Sequence, residues 1–284
     1  MKKVIVICGP TSSGKTALSI ELAKKYQLEI INGDSVQVYK NYDIGSAKIK
    51  AEEKKGIHHH LIDVIEPLRH YDVAQFQQDA RAIINKQQRS MIVGGTGLYI
   101  KAALYDYRFK KASFDTLVSF PDSKTMYDTI VKLDSNAVVD IQNTKRLKMM
   151  YQKVLMGQKP SENHFKDQPL YDILTIYLDI SKDVLKERLI IRLEKQLEDG
   201  FIDEVKYLKT LGPIKDVIGY REINMYLNQE LTLEEAKDHI LKKSLAFAKR
   251  QKTWFINQMH PFVIEATSPN LLNECIKEID EWLK

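Results

Sequence analysis

A loop suited to holding phosphate lies at the start of the chain. Residues 9–16 read GPTSSGKT and match the P-loop motif G-x-x-x-x-G-K-[ST] at every fixed position. Glycines let such a backbone curl with its N–H groups inward, while Lys15 adds a positive charge and the Thr16 hydroxyl can ligate Mg²⁺. The motif predicts a site for a di- or triphosphate without saying which compound carries it. The predicted contacts are Gly9, Thr11, Ser12, Ser13, Gly14, Lys15 and Thr16.

Two further turns are expected beside this loop. Asp34 follows an apolar segment at residues 29–31, and the glycine-rich stretch containing Thr96 follows another at residues 91–93. If both segments are strands of one parallel sheet, the turns meet at the edge where open α/β sheets bind ligands. A carboxylate there could act as a base or bind Mg²⁺. Alternatively, Asp34 is a turn residue that bonds its own backbone.

Short apolar strands alternate with helical patterns, the order that places such turns at one edge of a sheet. Strands are predicted at residues 4–8, 29–31, 91–93, 173–178 and 262–265, with a helix at about 16–26 after the loop. This predicts an α/β fold with a P-loop NTPase-like core, a parallel sheet flanked by helices. Core residues 1–111 and 170–284 are interrupted by an inserted helical segment at 112–169, where the pattern turns helical and polar.

Composition limits the class of protein. The 284 residues are 44% hydrophobic, enough to build a core, and 43 basic against 38 acidic residues give a net charge of +5. Cys8 and Cys275 are far apart and lack metal-site spacing, so neither a disulfide framework nor a zinc site is expected. No apolar run approaches the roughly 18 residues that span a membrane. We expect a cytoplasmic protein, monomeric and without a membrane partner.

Two windows are basic and free of acidic residues. They span residues 141–161 and 239–264, and the second also contains Phe247, Trp254 and Phe255. Basic and aromatic side chains together neutralise phosphates and stack on bases, which would suit a nucleic acid. Alternatively, both windows are amphipathic helices with solvated charges and with aromatic rings turned towards the core.

Three arginines outside these windows are ambiguous from sequence. Arg188 and Arg192 are four residues apart on a predicted helix and share a face, either as an anion clamp or as a solvated stripe. Arg221 follows a glycine turn at Gly219, and the sequence leaves open whether it belongs to a pocket.

Six stretches, taken in order, resemble the tRNA dimethylallyltransferase (tRNA isopentenyltransferase) family. They read GPTSSGKT, NGDSVQVYKNYDIGSAK, HHHLIDV, VGGTGLYIKAAL, DVIGYREI and AFAKRQKTWF and cover most of the chain. The resemblance implies transfer of a dimethylallyl group from its diphosphate to N6 of adenosine 37 in tRNAs that read codons beginning with U. The products would be N6-isopentenyladenosine and pyrophosphate. The implied partners are dimethylallyl diphosphate and the tRNA anticodon stem-loop, with Mg²⁺ as cofactor.

The resemblance also implies a role for individual residues. Asp34 would accept the proton of the adenine amine, Thr96 would hydrogen-bond the reacting centre, and Lys15 and Arg221 would bind the diphosphate. Thr16 would hold Mg²⁺. The implied tRNA contacts are Ser35, Val36, Gln37, Lys145, Arg146, Leu147, Lys148, Leu245, Lys249 and Arg250.

Two other functions share some of these residues. An ATP-dependent small-molecule kinase of the P-loop class would use the loop, with Arg188 and Arg192 as a phosphate lid, but the basic aromatic segment around Trp254 disfavours it. A nucleotide-switched RNA-binding module is the other. The guanine-binding signal NKxD fails, since residues 85–88 read NKQQ.

Overall fold

A computed structural model describes residues 1–109, 120–162 and 167–284. The described chain separates into two units, Met1–Leu104 with Pro169–Lys284, and Tyr105–Gln168. The boundary expected between residues 111 and 112 lies outside the described residues. No helix within the described ranges is both long and apolar enough to cross a bilayer.

The first unit is built on a sheet of six strands, all paired in parallel. The strands are β1 Lys3–Cys8, β2 Ile30–Asn32, β3 His59–His60, β4 Arg89–Gly94, β5 Asp172–Asp179 and β6 Phe262–Glu265. Their order across the sheet is β3-β2-β4-β1-β5-β6. The predicted parallel α/β sheet is confirmed. The sequence missed β3, because a strand of two residues is too short to show any alternation of apolar and polar side chains.

The central strand positions the phosphate-binding loop. β1 is almost wholly buried between β4 and β5, which is why its sequence is a continuous apolar run. The register pairs Cys8 with both Gly94 and Tyr177, so these three strands end at one edge. β4 lies on one side of β1 and β5 on the other, so the order in which strands are added to the sheet reverses at β1. Ligand crevices form at such a reversal in open α/β sheets.

Helices cover the sheet and form the second unit. In the first unit they are α1 Lys15–Tyr26, α2 Val73–Ile84, α3 Gly97–Leu104, α6 Lys182–Glu198, α7 Phe201–Leu211, α8 Tyr220–Leu227, α9 Leu233–Met259 and α10 Leu271–Leu283. In the second unit, α4 Ser123–Leu133 and α5 Thr144–Leu155 pack through an apolar cluster of Met126, Ile130, Leu147, Met150 and Val154. Asp134, just after α4, accepts hydrogen bonds from the backbone N and the hydroxyl of Ser161 at 2.8 and 2.5 Å.

Candidate active site

A cavity of about 660 Å³ opens at the carboxyl edge of the sheet in the first unit. The P-loop, the segment after β2 and the turn after β4 all contribute to its wall. The predicted site residues that line it are Thr11, Ser12, Gly14, Lys15, Thr16, Asp34, Ser35, Val36, Gln37 and Thr96. Gly9 and Ser13 lie behind this lining. Ser13 is 1% exposed, and a Cβ added at Gly9 would lie 2.8 Å from the Leu178 carbonyl oxygen.

The P-loop presents donors that no group in the described ranges satisfies. Gly14 adopts a left-handed conformation (φ 89°) and begins α1 without a side-chain cap, which leaves the N-terminal N–H groups of the helix for a ligand. Ser12 also has a positive φ of 65°. The hydroxyl oxygens of Ser12 and Ser13 are buried without a hydrogen-bond partner among the described residues. Unpaired donors at a helix N-terminus suit an anion.

Lys15 is a partly desolvated cation at the bottom of this loop. Its Nζ donates a hydrogen bond of 2.6 Å to the Pro10 carbonyl oxygen. Burial and the positive charge of Arg192 lower the pKa of Lys15 to about 8, while the negative charge of Asp34 opposes that shift. The ammonium is thus still charged near neutral pH. An anion beside it would restore the electrostatic stabilisation that burial removes.

The lowered pKa of Lys15 predicts that anion affinity depends on pH. Lys15 carries its charge below its pKa, so the affinity for dimethylallyl diphosphate, measured without RNA, should fall as pH rises above about 8. The fall should approach about tenfold per pH unit, the limit for loss of one proton. A Lys15→Met variant should bind weakly at every pH. Equal affinity of the native protein at pH 7 and pH 9.5 would contradict a contact between Lys15 and the diphosphate.

Two arginines of α6 contact loops around the cavity, Arg188 the P-loop and Arg192 the loop that contains Ser46. Arg188 Nη1 donates to the Ser12 carbonyl oxygen at 3.2 Å, and Arg192 Nη2 donates to the Ser46 carbonyl oxygen at 3.4 Å. Both side chains are half-buried, and Arg192 lines the cavity. Of the two alternatives raised by the sequence, this placement favours the anion clamp over the solvated stripe.

Asp34 is both a turn residue and part of the cavity wall. Its Oδ1 accepts hydrogen bonds from the backbone N of Val36 at 2.8 Å and of Gln37 at 3.3 Å. The buried side chain of Asn32 exchanges hydrogen bonds with the Asp34 backbone, both at 3.2 Å. With Oδ1 engaged in the turn, Oδ2 has no hydrogen bond in the described chain. Asp34 is therefore held rigidly, with one carboxylate oxygen left for chemistry.

Thr96 is tied to the same turn. Its Oγ1 accepts a hydrogen bond of 3.1 Å from the backbone N of Ser35, and its own backbone N donates to the Gly33 carbonyl oxygen at 3.1 Å. The segments after β2 and β4 can approach this closely only because Gly94 lacks a side chain. A Cβ at Gly94 would lie 2.3 Å from the Gly33 carbonyl carbon.

Helix α9 packs closely on the glycine turn after β4. Gln251, 6% exposed, donates from Nε2 to the Gly95 carbonyl oxygen at 2.8 Å and lines the cavity. One turn later, the Trp254 ring covers Gly97, where an added Cβ would lie 2.2 Å from Trp254 Cε3. Sequence reasoning missed Gln251. Its position could have indicated burial, because Gln251 lies three residues after Ala248 and four before Phe255, on the buried face of the helix.

Gly97→Ala should destabilise the protein through this contact. The backbone of Gly97 is not in a left-handed conformation, so alanine is allowed there and the cost comes from displacing Trp254. We expect a loss of about 1–3 kcal/mol in the free energy of unfolding in urea. Leu98→Ala, at a neighbouring side chain that is 46% exposed, is the control and should cost less. If both variants unfold alike, the Trp254 ring moves aside freely.

A glutamate that the sequence analysis did not single out fixes another wall. Glu204 of α7 accepts hydrogen bonds from the backbone N of Asp43, Ile44 and Gly45 at 3.0, 2.6 and 3.1 Å, and from the Tyr220 hydroxyl at 2.7 Å. Gly45 lines the cavity. Four donors on one carboxylate hold this loop in place. Because α7 is remote in sequence from the loop, no local pattern could indicate the contact.

Arg221 does not line the cavity. Its Nη1 pairs with Asp216 at 3.0 Å and its Nε with Glu222 at 3.3 Å, and its side chain is 44% exposed. Burial tends to raise the pKa of Glu222, but hydrogen bonds from Lys243 and the Gly219 backbone outweigh it and hold that pKa below its usual value. Asp216 and Gly219 do line the cavity, so Arg221 stands just outside it. Its contact with diphosphate stays a prediction.

The residues expected to contact RNA differ in exposure. Lys249 and Arg250 are exposed on α9 and border a second cavity of about 390 Å³ beside Trp254. Lys145, Arg146 and Lys148 are exposed on α5. The two leucines are not free: Leu147 is buried between α4 and α5, and Leu245 packs against the core of the first unit. Apolar packing thus accounts for Leu147 and Leu245, whereas the exposed cations are available to phosphates.

The cavity wall holds oxygen donors that would suit Mg²⁺ together with a diphosphate. Thr16 and Asp34 both supply oxygen atoms to its wall, and Mg²⁺ prefers a few such ligands combined with substrate phosphates. Among the described residues, no cluster of three or more His, Cys, Asp or Glu side chains could hold a metal ion unaided. The donor set is therefore compatible with an ion that arrives with its diphosphate.

The fold and the cavity define a P-loop α/β protein whose loop has unpaired hydrogen-bond donors suited to an anion, beside a fixed carboxylate. A family model described as IPP transferase matches residues 37–258, and one described as isopentenyl transferase matches residues 2–69. A protein from Acholeplasma laidlawii (strain PG-8A) named tRNA dimethylallyltransferase is 49% identical over 283 residues, covering 100% of this chain and 99% of the relative. The chain belongs to the IPP transferase family, and the resemblance noted in its sequence is confirmed.

Solved structures agree with this assignment. The full-length tRNA isopentenylpyrophosphate transferase of Bacillus halodurans is 32% identical with a TM-score of 0.76, over 100% of this chain and 97% of that one. A eukaryotic dimethylallyltransferase described as acting on tRNA is 28% identical with a TM-score of 0.81, over 94% of this chain and 75% of that one.

Proposed function

We propose that this enzyme transfers a dimethylallyl group from dimethylallyl diphosphate to N6 of adenosine 37 in tRNAs that read codons beginning with U. The observation that carries the proposal is the cavity in which the P-loop faces Asp34 and Thr96. Relatives that match over their full length are named tRNA dimethylallyltransferase, which favours a transferase over a P-loop kinase. The P-loop thus holds the diphosphate of a prenyl donor.

The loop stabilises the leaving group. During transfer the bond between C1 and the diphosphate oxygen breaks, and pyrophosphate departs with the electron pair. Its developing charge is met by Lys15, by the free N–H groups at the start of α1 and by Arg188 and Arg192. Mg²⁺ held by Thr16 and the diphosphate would supply further charge neutralisation.

Asp34 and Thr96 act on the acceptor. The exocyclic nitrogen of adenine forms the new bond to C1 and loses one proton, which passes to the free Oδ2 of Asp34. The Thr96 hydroxyl, fixed by Ser35, hydrogen-bonds at the reacting centre. A base stacked in an anticodon loop cannot reach this cavity, so adenosine 37 must be flipped out of the loop. The cavity wall at Ser35, Val36 and Gln37 would then surround it.

The exposed cations of α9 should contribute to RNA affinity. Replacing Lys249 and Arg250 together by alanine should weaken binding of an anticodon stem-loop and reduce the slope of log affinity against log salt by about 1–2, one for each lost phosphate contact. The same double change at Lys24 and Lys25, an adjacent exposed pair at the end of α1, is the matched control. A slope unchanged by the α9 variant would remove that helix from the RNA interface.

A pyrophosphate assay tests the proposed function. Dimethylallyl diphosphate, Mg²⁺ and unmodified tRNA together should release pyrophosphate, and omission of either substrate should abolish the release. ATP turnover without RNA would support the kinase instead. The cytoplasmic location and the monomeric state expected from the sequence stay proposals, and light scattering of the purified protein tests the second.

A further inference from the structure

Gln251 is a buried amide with only one of its two ends satisfied. Its Nε2 donates to the Gly95 carbonyl oxygen at 2.8 Å. A carbonyl oxygen only accepts, so the nitrogen must face it and the orientation of the amide is fixed. The other end, Oε1, is buried and has no hydrogen-bond partner among the described residues. Buried polar atoms are nearly always hydrogen-bonded. The missing donor for Oε1 is therefore expected to come from a bound molecule.

The position of Gln251 limits what that donor can be. The residue lines the main cavity, next to the turn that carries Thr96. A Cβ at Gly95 would lie 2.4 Å from Gln251 Nε2 and 3.5 Å from the Gly9 carbonyl oxygen, so the amide sits where this turn meets the start of the P-loop. The amide therefore lies between the loop proposed to bind the diphosphate and the turn that carries Thr96.

Of the proposed substrates, only the nucleoside offers a suitable donor. An ionised diphosphate has acceptor oxygens alone, and a dimethylallyl group has no polar hydrogen. The exocyclic amine of adenine carries two N–H bonds. Asp34 takes one of these protons in the reaction, which leaves the other N–H in need of an acceptor inside the cavity.

We propose that Gln251 Oε1 accepts a hydrogen bond from the N–H of the adenine amine that is not transferred. With Asp34 on one N–H and Gln251 on the other, the nitrogen lone pair is aimed at C1 of the donor. The same pair of acceptors would reject a base with a carbonyl oxygen at this position, because acceptors would face each other. Gln251 then sets both the orientation and the identity of the acceptor base. This inference rests on the proposed function.

A binding experiment isolates this contact. Anticodon stem-loops carrying either adenosine or purine riboside at position 37, which differ only by the amine, are titrated against the protein with pyrophosphate and Mg²⁺ present. The native protein should prefer adenosine. In Gln251→Met the preference should shrink by about fivefold, the size of one hydrogen bond. Gln78→Met, the same change at an exposed position of α2, should leave the preference unchanged.

The alternatives give different results. A purely structural role for Gln251 would weaken both stem-loops equally in Gln251→Met and keep the preference intact, which would overturn the inference. An unchanged preference with unchanged affinities would mean that water satisfies Oε1, and this result would overturn it too. Gln251→Leu also lacks the acceptor, so it should shrink the preference in the same way if Gln251→Met folds poorly. If the native protein transfers the prenyl group and only these variants disagree, the proposed function stands without Gln251.

Discussion

Replacing Asp34 by asparagine should reduce the single-turnover rate of transfer by about 10²–10⁴-fold, the usual contribution of a general base. Asparagine keeps the Oδ1 that accepts from Val36 and Gln37, so the turn after β2 should remain in place. The change removes only the negative charge and the basic oxygen. Affinities for dimethylallyl diphosphate and for tRNA should therefore change far less than the rate.

Rapid-quench measurements with the variant in excess over labelled donor and tRNA separate these effects. Asp203→Asn, an exposed carboxylate of α7 that pairs with Lys206, should react at the native rate. A near-native rate in Asp34→Asn would remove Asp34 as the base. A parallel collapse of substrate binding would instead assign Asp34 to positioning.

Lys15→Met should abolish most activity and yet stabilise the protein without ligand. Loss of the ammonium should weaken donor binding by about 10–100-fold, because a charge-assisted contact to phosphate disappears. Burial lowers the pKa of Lys15 to about 8, below its unfolded value, so at pH 7 folding must desolvate a charged group. Removing that group should raise the free energy of unfolding by about 1–3 kcal/mol, a gain that vanishes as pH rises and Lys15 becomes neutral.

Thermal unfolding at pH 7 and donor titration check the two halves of this prediction. Lys25→Met, at the exposed end of the same helix, should change neither quantity appreciably. Lower stability of Lys15→Met at pH 7 would mean that the hydrogen bond from Lys15 to Pro10 outweighs the desolvation of its charge. An unchanged affinity for dimethylallyl diphosphate would mean that its diphosphate does not bind at Lys15 of the P-loop.

Local sequence patterns predicted the strands and the helix around the P-loop. The apolar runs placed β1, β4 and β5 within two residues of their observed ends, and the P-loop motif required a strand before it and a helix after it. Convergence of Asp34 and Thr96 on this loop followed from parallel strands alone. Local signals also mark α7, because Gly200, with a positive φ, precedes it and Gly212 follows it.

Contacts between distant segments could not be foreseen. Glu204 holds a loop that lies about 160 residues earlier in the chain, and Gln251 holds Gly95 across a similar separation. Arg188 and Arg192 were ambiguous because a helix pattern gives their shared face but not what that face contacts. Arg221 was equally ambiguous, since its glycine turn at Gly219 lines the cavity while its guanidinium pairs with Asp216. Such outcomes depend on tertiary packing, which spacing along a single element does not encode.

Analysis of the modified nucleoside decides whether the chain prenylates tRNA at the proposed position. The protein is incubated with labelled dimethylallyl diphosphate, Mg²⁺ and unmodified tRNA, and the RNA is then digested and analysed by mass spectrometry. We predict N6-isopentenyladenosine at position 37 and nowhere else, with one pyrophosphate released for each nucleoside formed. RNA without label, accompanied by ATP hydrolysis or phosphorylation of a small molecule, would contradict the proposed function. It would indicate instead that the P-loop binds ATP, as in a kinase.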